Sequence, residues 1–415
     1  MNKKLRNILF IVLGPLVLGI FVYYMFLGIE YLSGKEFVKY LEDNSETKSL
    51  EEPFNFLIGE DDFENSKLIL VGEIHGTNIP SQFDVEFFIH LYKNFNVRWY
   101  WAELDAIQAY YMNTFLENGD EQLLERILKN WVVAQGRNNL DYMNKYKELH
   151  RFYKQLPDEE KFKFIGIDKI QDWRLVTKLV NQLSSADNSL LQLEFSKESI
   201  LSQLTERTSY LDSMELTDSS QFWLLKQIKD NISFYREKLP REEAMFENFR
   251  NNFSYYGLEK ERSYGFFGLY HVFQYEVNGE KPLAALIRSS NLGLADKMIS
   301  INFMMTDSKM VMKSNTLPRF LQDEGPYTKM GLSSDNIFVM YIYGIQDFKR
   351  MTPPNHKSLI KLNGKDSPYS NTMRLNKTIQ LLPVTDVFKM TEEGKEYVQY
   401  TIFVRNSDWA EPMDN

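Results

Sequence analysis

The chain has 415 residues, of which 43% are apolar and 14% aromatic, enough for a packed core in one large domain or two ordinary ones. Its formal charge of −9, with no Lys/Arg-rich block beyond the extreme N-terminus, argues against a nucleic-acid partner. With no cysteine at all, disulfides, thiolate metal sites and a cysteine nucleophile are excluded.

Residues 8–29, ILFIVLGPLVLGIFVYYMFLGI, carry no charge. At about 1.5 Å per residue such a run reaches roughly 33 Å, and a bilayer's hydrocarbon core is about 30 Å thick. Lys3, Lys4 and Arg6 precede it, which places that end in the cytoplasm. The run is longer than the core of a cleaved signal peptide, and no Ala-x-Ala site follows. The expectation is an uncleaved single-pass signal anchor over 1–30, a juxtamembrane helix and linker over 31–62, and a main domain over 63–415 outside the cytoplasm.

Within that domain, short apolar runs alternate with segments of helical periodicity. Predicted strands cover 67–73, 99–103, 162–168 and 264–270, with later candidates at 298–305, 337–343 and 398–404. Pro80 and Ser81 open a helix after the first strand, Asn118-Gly119 ends the one after the second, and a further helix runs from about Leu140 to Gln155. Residues 172–258 read as a helical insertion. The stretches 306–335 and 344–375, rich in Pro, Gly, Ser, Asn and Asp, read as loops. The pattern predicts an α/β fold: a mostly parallel, doubly wound sheet flanked by helices, with the helical insertion and an N-terminal transmembrane helix.

Four of the predicted strands run into ionisable residues: Glu73 and His75, Glu103, Asp168, and His271. Ligands of open α/β sheets bind beyond the carboxyl ends of the strands, so these side chains are expected to meet at one edge. Glu73 and His75 are two apart and point the same way if the chain stays extended. A histidine titrating near neutrality suits general-base work, and a carboxylate beside it orients the ring. Glu103 follows Trp-Tyr-Trp-Ala, a dry setting for an acid or base. Helix capping is the competing reading for these carboxylates, with Asp105 available two residues beyond Glu103 and Asp172 close after Asp168. No glycine-rich phosphate loop, Gly-x-Ser-x-Gly elbow or His-Glu-x-x-His is present.

Val71-Gly72-Glu73-Ile74-His75-Gly76-Thr77 resembles the opening motif of the erythromycin-esterase-like and ChaN-like (haem-uptake, Tiki-related) superfamily. Further pieces follow in the expected order: Glu103, Trp131 with the helix around Asn138 to Tyr146, Phe164-Ile165-Gly166-Ile167-Asp168, the helix Arg241 to Asn248, and Gly268-Leu269-Tyr270-His271. Two departures stand out. Only Ile74 separates the motif glutamate and histidine, where the esterases usually have two residues. The helix after the motif, from Ser81, also lacks the arginine that the esterases place there.

The resemblance implies a hydrolase in which His75 activates water, assisted by Glu73, Glu103 and His271, with Arg241 and Asp168 on the substrate side. The expected substrate is a small-molecule ester or amide, with no cofactor. Two alternatives keep the same residues. Glu73, His75, Glu103 and His271 also suit a divalent metal, and Tyr270-His271 suits haem ligation in a non-catalytic surface binding protein.

Overall fold

Strand β2 (Leu68–Glu73) is buried along its whole length; Ile69 and Val71 enter one hydrophobic cluster, Leu68 and Leu70 another. A strand that is apolar on both faces belongs inside a sheet covered on both sides. The computed structural model describes residues 17, 21, 23–129, 137–183, 218–370, 372–382, 387–390, 392 and 395–413. Among these, eight strands form one sheet. Its order is β1 (Ser45–Ser49), β11 (His356–Lys361), β13 (Tyr400–Arg405), β6 (Met298–Thr306), β2, β5 (Ser263–Gly268), β3 (Trp99–Asp105) and β4 (Lys163–Asp168). The six strands from β13 to β4 are parallel, and β11 is antiparallel to both of its neighbours.

Helices cover both faces, as expected for a mostly parallel α/β sheet. One face packs on α3 (Ile79–Phe95), α4 (Ala106–Asn118), α5 (Glu121–Lys129), α6 (Leu140–Tyr153), α7 (Trp173–Leu183) and α8 (Ser219–Arg236). The other packs on α9 (Arg241–Tyr255) and α10 (Leu283–Ser289). The segment 172–258 is helical in α7, α8 and α9, and its residues 184–217 lie outside the described residues, as does Trp131. Two short helices pack at the far end of the sheet: α1 (Lys35–Asp43) buries Phe37 and Leu41 in a third cluster, and α2 (Glu60–Asn65) buries Phe63.

Several segments depart from the sequence expectation. The stretch read as a juxtamembrane helix and linker forms α1 and the edge strand β1, which pairs with β11. The stretch 344–375, read as loop, supplies both α11 (Ile345–Met351) and β11. Polar residues hid that strand, because Lys357 is fully buried beside Glu86 at 3.7 Å and the Ser358 hydroxyl is shared with Thr47 and Thr352 at 2.7 Å. Within 306–335, β7 (Ser308–Lys313) and β8 (Tyr327–Leu332) form an antiparallel ribbon. The candidate 337–343 does not join the main sheet. Its β10 (Met340–Ile342) pairs with β9 (Asp335–Asn336) and β12 (Thr378–Ile379) in a small sheet of its own.

Most of the apolar run 8–29 lies outside the described residues, and residues 23–29 are helical. Among the described residues no helix is long and apolar enough to cross a membrane.

Candidate active site

The carboxyl ends of β2, β5, β3 and β4 are adjacent in the sheet, and the residues that end them meet. Glu73 closes β2 on the face covered by α6. His75 lies two residues beyond the strand end, in a turn fixed by Gly76. That glycine has φ of +80°, and a Cβ there would stand 2.8 Å from the carbonyl oxygen of Val311. The Gly76 carbonyl accepts the amides of Val311 and Ala410, each at 2.9 Å, so β7 and the C-terminal segment buttress the turn.

His75 Nδ1 lies 2.8 Å from Glu73 Oε1. A carboxylate at Nδ1 fixes the proton there and leaves Nε2 with a lone pair. The Glu73 carboxylate also accepts from Arg137 Nε at 3.0 Å and from the Tyr142 hydroxyl. Burial acts to raise its pKa, but the neighbouring His75 and Arg137 outweigh that and hold it down to about 2.

Glu103 is equally buried and is the hub of the cluster. Its Oε2 accepts Arg137 Nη2 at 2.8 Å and the Gly268 amide at 2.6 Å, and its Oε1 accepts Arg241 Nη2 at 2.7 Å. Burial works against ionisation here too, and Arg137 and His271 together keep the carboxyl well below its usual range. Glu103 does not cap the next helix. Asp105 does so, in a capping box with Gln108.

Asp168, at the end of β4, grips Arg241 through two bonds: Nε to Oδ1 at 3.1 Å and Nη2 to Oδ2 at 2.7 Å. Asp172, not Asp168, accepts the first amides of α7. Arg241 is the first residue of α9, and Asn248 on the same helix donates to the carbonyls of Ile167 and Asp168 at 3.0 and 3.2 Å. That clasp sets the start of α9 beside the end of β4.

His271 does not end a strand. β5 stops at Gly268 and the chain enters a single 3-10 turn, Leu269–Val272, which carries the imidazole inward. Its Nδ1 donates to Glu242 Oε2 at 2.9 Å, and Nε2 lies 3.5 Å from Glu103 Oε1 and 3.3 Å from Arg241 Nη1. Burial alone disfavours its charged form, but Glu242 and Glu103 reverse this and raise its pKa to about 9. Four carboxylates (Glu73, Glu103, Asp168 and Glu242) face two guanidiniums in this cluster, so a proton on His271 is favoured.

Gly268 separates the two halves of the site. A Cβ on it would lie 2.9 Å from His75 Nε2 and 3.4 Å from Glu103 Oε2, so the imidazole and the hub carboxylate close over bare backbone.

No family model matches the chain, and neither does any curated protein. Solved structures do. A Bacillus cereus protein aligns over 91% of this chain and 99% of its own at 14% identity, with a TM-score of 0.60. A succinoglycan biosynthesis protein aligns over 91% of this chain and 98% of its own at 13% identity, TM-score 0.61. A variant of erythromycin esterase in its open conformation aligns over 89% of this chain and 100% of its own at 11% identity, TM-score 0.55. The fold is the erythromycin-esterase-like fold.

On this erythromycin-esterase-like scaffold the cluster opens onto a cavity of about 450 Å³, lined at one side by Glu73, His75, Glu103, Arg241, Glu242 and His271. His75 and Arg241 are the members most open to it, with side chains 29% and 31% exposed, against 5% or less for Glu73, Glu103, Asp168 and His271. Arg137 carries no signal in the sequence that singles it out, and Tyr142 and Glu242 lie within the helices that carry the resemblance without being marked there as site residues. Arg137 sits in Gly136-Arg137-Asn138-Asn139, and Asn139 caps α6; the cap is the one local signal that fixes the arginine in space.

The four residues considered as metal ligands do not form a ligand set. Arg137 lies between Glu73 and Glu103, and no group of three His, Asp or Glu among the described residues is arranged to hold a metal ion. Of the two residues considered for haem, His271 has both ring nitrogens facing charged partners in the cluster, whereas the Tyr270 hydroxyl is buried at the cavity without a partner.

Proposed function

We propose that this chain is a hydrolase of ester or amide bonds that uses His75 as general base on water. The observation that carries the reading is the pairing of His75 Nδ1 with the ionised Glu73 at 2.8 Å, which leaves Nε2 toward the cavity beside Gly268. Glu73 orients the ring and stabilises the imidazolium that forms when water gives up its proton. Arg137, bonded to both Glu73 and Glu103, keeps two buried carboxylates ionised side by side.

The charge that develops on the substrate oxygen falls to Arg241 and the protonated His271, which stand together on Glu103. Asp168 and Glu242 anchor these two cations from behind. The role is therefore divided: an uncharged imidazole takes a proton at one side, and a charged one faces the oxyanion at the other. The likeness of fold to an erythromycin esterase supports a hydrolytic site at this sheet edge. The low identity, with the single residue between Glu73 and His75, leaves the substrate to be found on this chain's own cavity.

The uncharged run 8–29 after Lys3, Lys4 and Arg6 supports a chain anchored in a membrane by its N-terminus, with the hydrolase on the far side from the cytoplasm. The deciding experiment is turnover of a panel of activated esters by wild type and His75→Ala. A fall in kcat of about 10²–10⁴ with unchanged thermal unfolding is expected of a general base; a folded His75→Ala protein with full activity rejects the mechanism.

A further inference from the structure

The wall of the cavity away from the charged cluster is apolar, and segments that carry none of the charged residues supply it. Met304 comes from β6, Met340 and Ile342 from β10, and Leu375 and Met390 from the chain around β12. Polar groups on this wall are few: the Tyr270 hydroxyl is buried there without a partner, and Asn302 and Thr378 are bonded internally. Asn302 accepts the Thr401 hydroxyl at 2.7 Å, and the Thr378 hydroxyl donates to the carbonyl of Phe388 at 3.4 Å. A ligand rich in hydroxyls would leave them unpaired against this wall, at about 1–3 kcal/mol for each buried group. Three of the wall residues are methionines, whose unbranched side chains adjust to an irregular or flexible apolar partner.

β10 is also held from behind. Met340 and Ile342 face the cavity, while Tyr341 between them points the other way. Its ring lies 5.6 Å from Phe26 and its hydroxyl donates to Glu30, which is almost fully buried and also accepts the Gly344 amide at 2.5 Å. Phe26 and Glu30 belong to the helix that continues the apolar run 8–29. The apolar wall is thus built on the back of the segment read as the anchor, and is latched to it by a buried carboxylate.

We infer that the substrate carries a long, flexible hydrocarbon chain, which lies against Met304, Met340, Ile342, Leu375 and Met390 and places its ester at His75. The placement of the ester rests on the hydrolase reading; binding of the chain does not.

The two are separated by one pair of measurements on the full-length protein kept in a fluorinated surfactant, which does not mix with hydrocarbon. The first is calorimetric binding of 2-alkanones from pentanone to tridecanone, neutral ester isosteres that cannot be cleaved. Affinity is expected to rise about fourfold with each methylene until the cavity is filled, the gain for burying one such group. Ile342→Asn, and independently Leu375→Gln, should cut the ratio of long-chain to short-chain affinity at least tenfold. The second is hydrolysis of the matching p-nitrophenyl ester series by wild type and His75→Ala. Chain-length-dependent ketone binding that both variants flatten supports the inference even if no ester is cleaved, and in that case the hydrolase reading alone fails. His75-dependent hydrolysis with ketone affinity independent of chain length, or a length dependence that neither folded variant reduces, overturns the inference and leaves the hydrolase standing.

Discussion

Asp105 accepts the amides of Ile107 and Gln108 at the start of α4, and this frees Glu103, two residues earlier on β3, to hold Arg137 and Arg241. The two carboxylates are both buried, yet they do different work, because β3 shifts register against β4 between Ala102 and Asp105. Asp105 Oδ2 also accepts the amide of Gln171 at 2.9 Å, tying β3 to the segment after β4. Replacing Asp105 by Ala removes a cap worth about 0.5–2 kcal/mol and leaves buried amides unpaired. The expected loss is at least about 2 kcal/mol, measured by urea unfolding. Asp105→Asn keeps an acceptor oxygen and should lose less.

The parts of the fold and site that could be read from the sequence are those fixed by local pattern. Leu68 to Val71 and Phe164 to Ile167 are apolar on both faces, so they read as buried parallel strands and their ends read as a site edge, although β4 ends the sheet. Glu73, His75 and Glu103 follow from that register alone. What was hidden depends on distant partners. β11 looked like loop because Lys357 and Ser358 are polar, and only Glu86, Thr47 and Thr352 make their burial possible. Arg137 has no local pattern that marks it, and its place between two carboxylates is set by strands more than thirty residues away in sequence. Tyr264 to Tyr270 read as one strand because its apolar run does not break where the ladder does, at Gly268.

Arg137 is 1% exposed and satisfies Glu73 and Glu103 together. Its loss would remove the one charge that bridges the two buried carboxylates, leaving Glu103 to Arg241 and His271 and Glu73 to His75. Arg137→Met is expected to cost about 3–5 kcal/mol, the usual result of stranding a buried charge. Arg137→Lys restores the charge but not the planar fork that spans both acids, so it should recover stability only in part. Chemical denaturation of both variants at pH 7 checks this, and a Met variant as stable as wild type would show that the bridge contributes nothing.

Gly268→Ala separates packing from chemistry. The residue lies in extended backbone, so alanine meets no conformational strain, and the atom nearest to the new methyl is His75 Nε2 at 2.9 Å. The imidazole is the movable partner, and it moves at the expense of its alignment. Stability should change by less than about 1 kcal/mol, as for ordinary tolerated substitutions. The rate on an activated ester should fall by about 10²-fold, since a displacement of about 1 Å has that effect. Equal loss in a larger variant such as Gly268→Val, without any loss in alanine, would argue that His75 is not placed as proposed.

His271 gives the fold a pH dependence whose sign can be worked out. Its pKa rises from 6.5 to about 9 on folding, because Glu242 and Glu103 outweigh its burial. A basic group with a raised folded pKa binds its proton more tightly in the native state. Its stabilisation is therefore complete below pH 6.5 and is lost as the pH climbs through about 9. A tenfold change in proton affinity is worth about 1.4 kcal/mol, so the contribution is on the order of 3 kcal/mol. Glu73 acts in the opposite window: its pKa falls from 4.5 to about 2, so its contribution is present above 4.5 and fades as the pH drops toward 2. Urea unfolding of wild type and His271→Gln at pH 6 and at pH 10 isolates the histidine. The stability gap between the two proteins should be widest at pH 6 and shrink by roughly 3 kcal/mol at pH 10. A gap that stays constant across this range would mean that His271 folds uncharged, and the oxyanion would then have Arg241 alone.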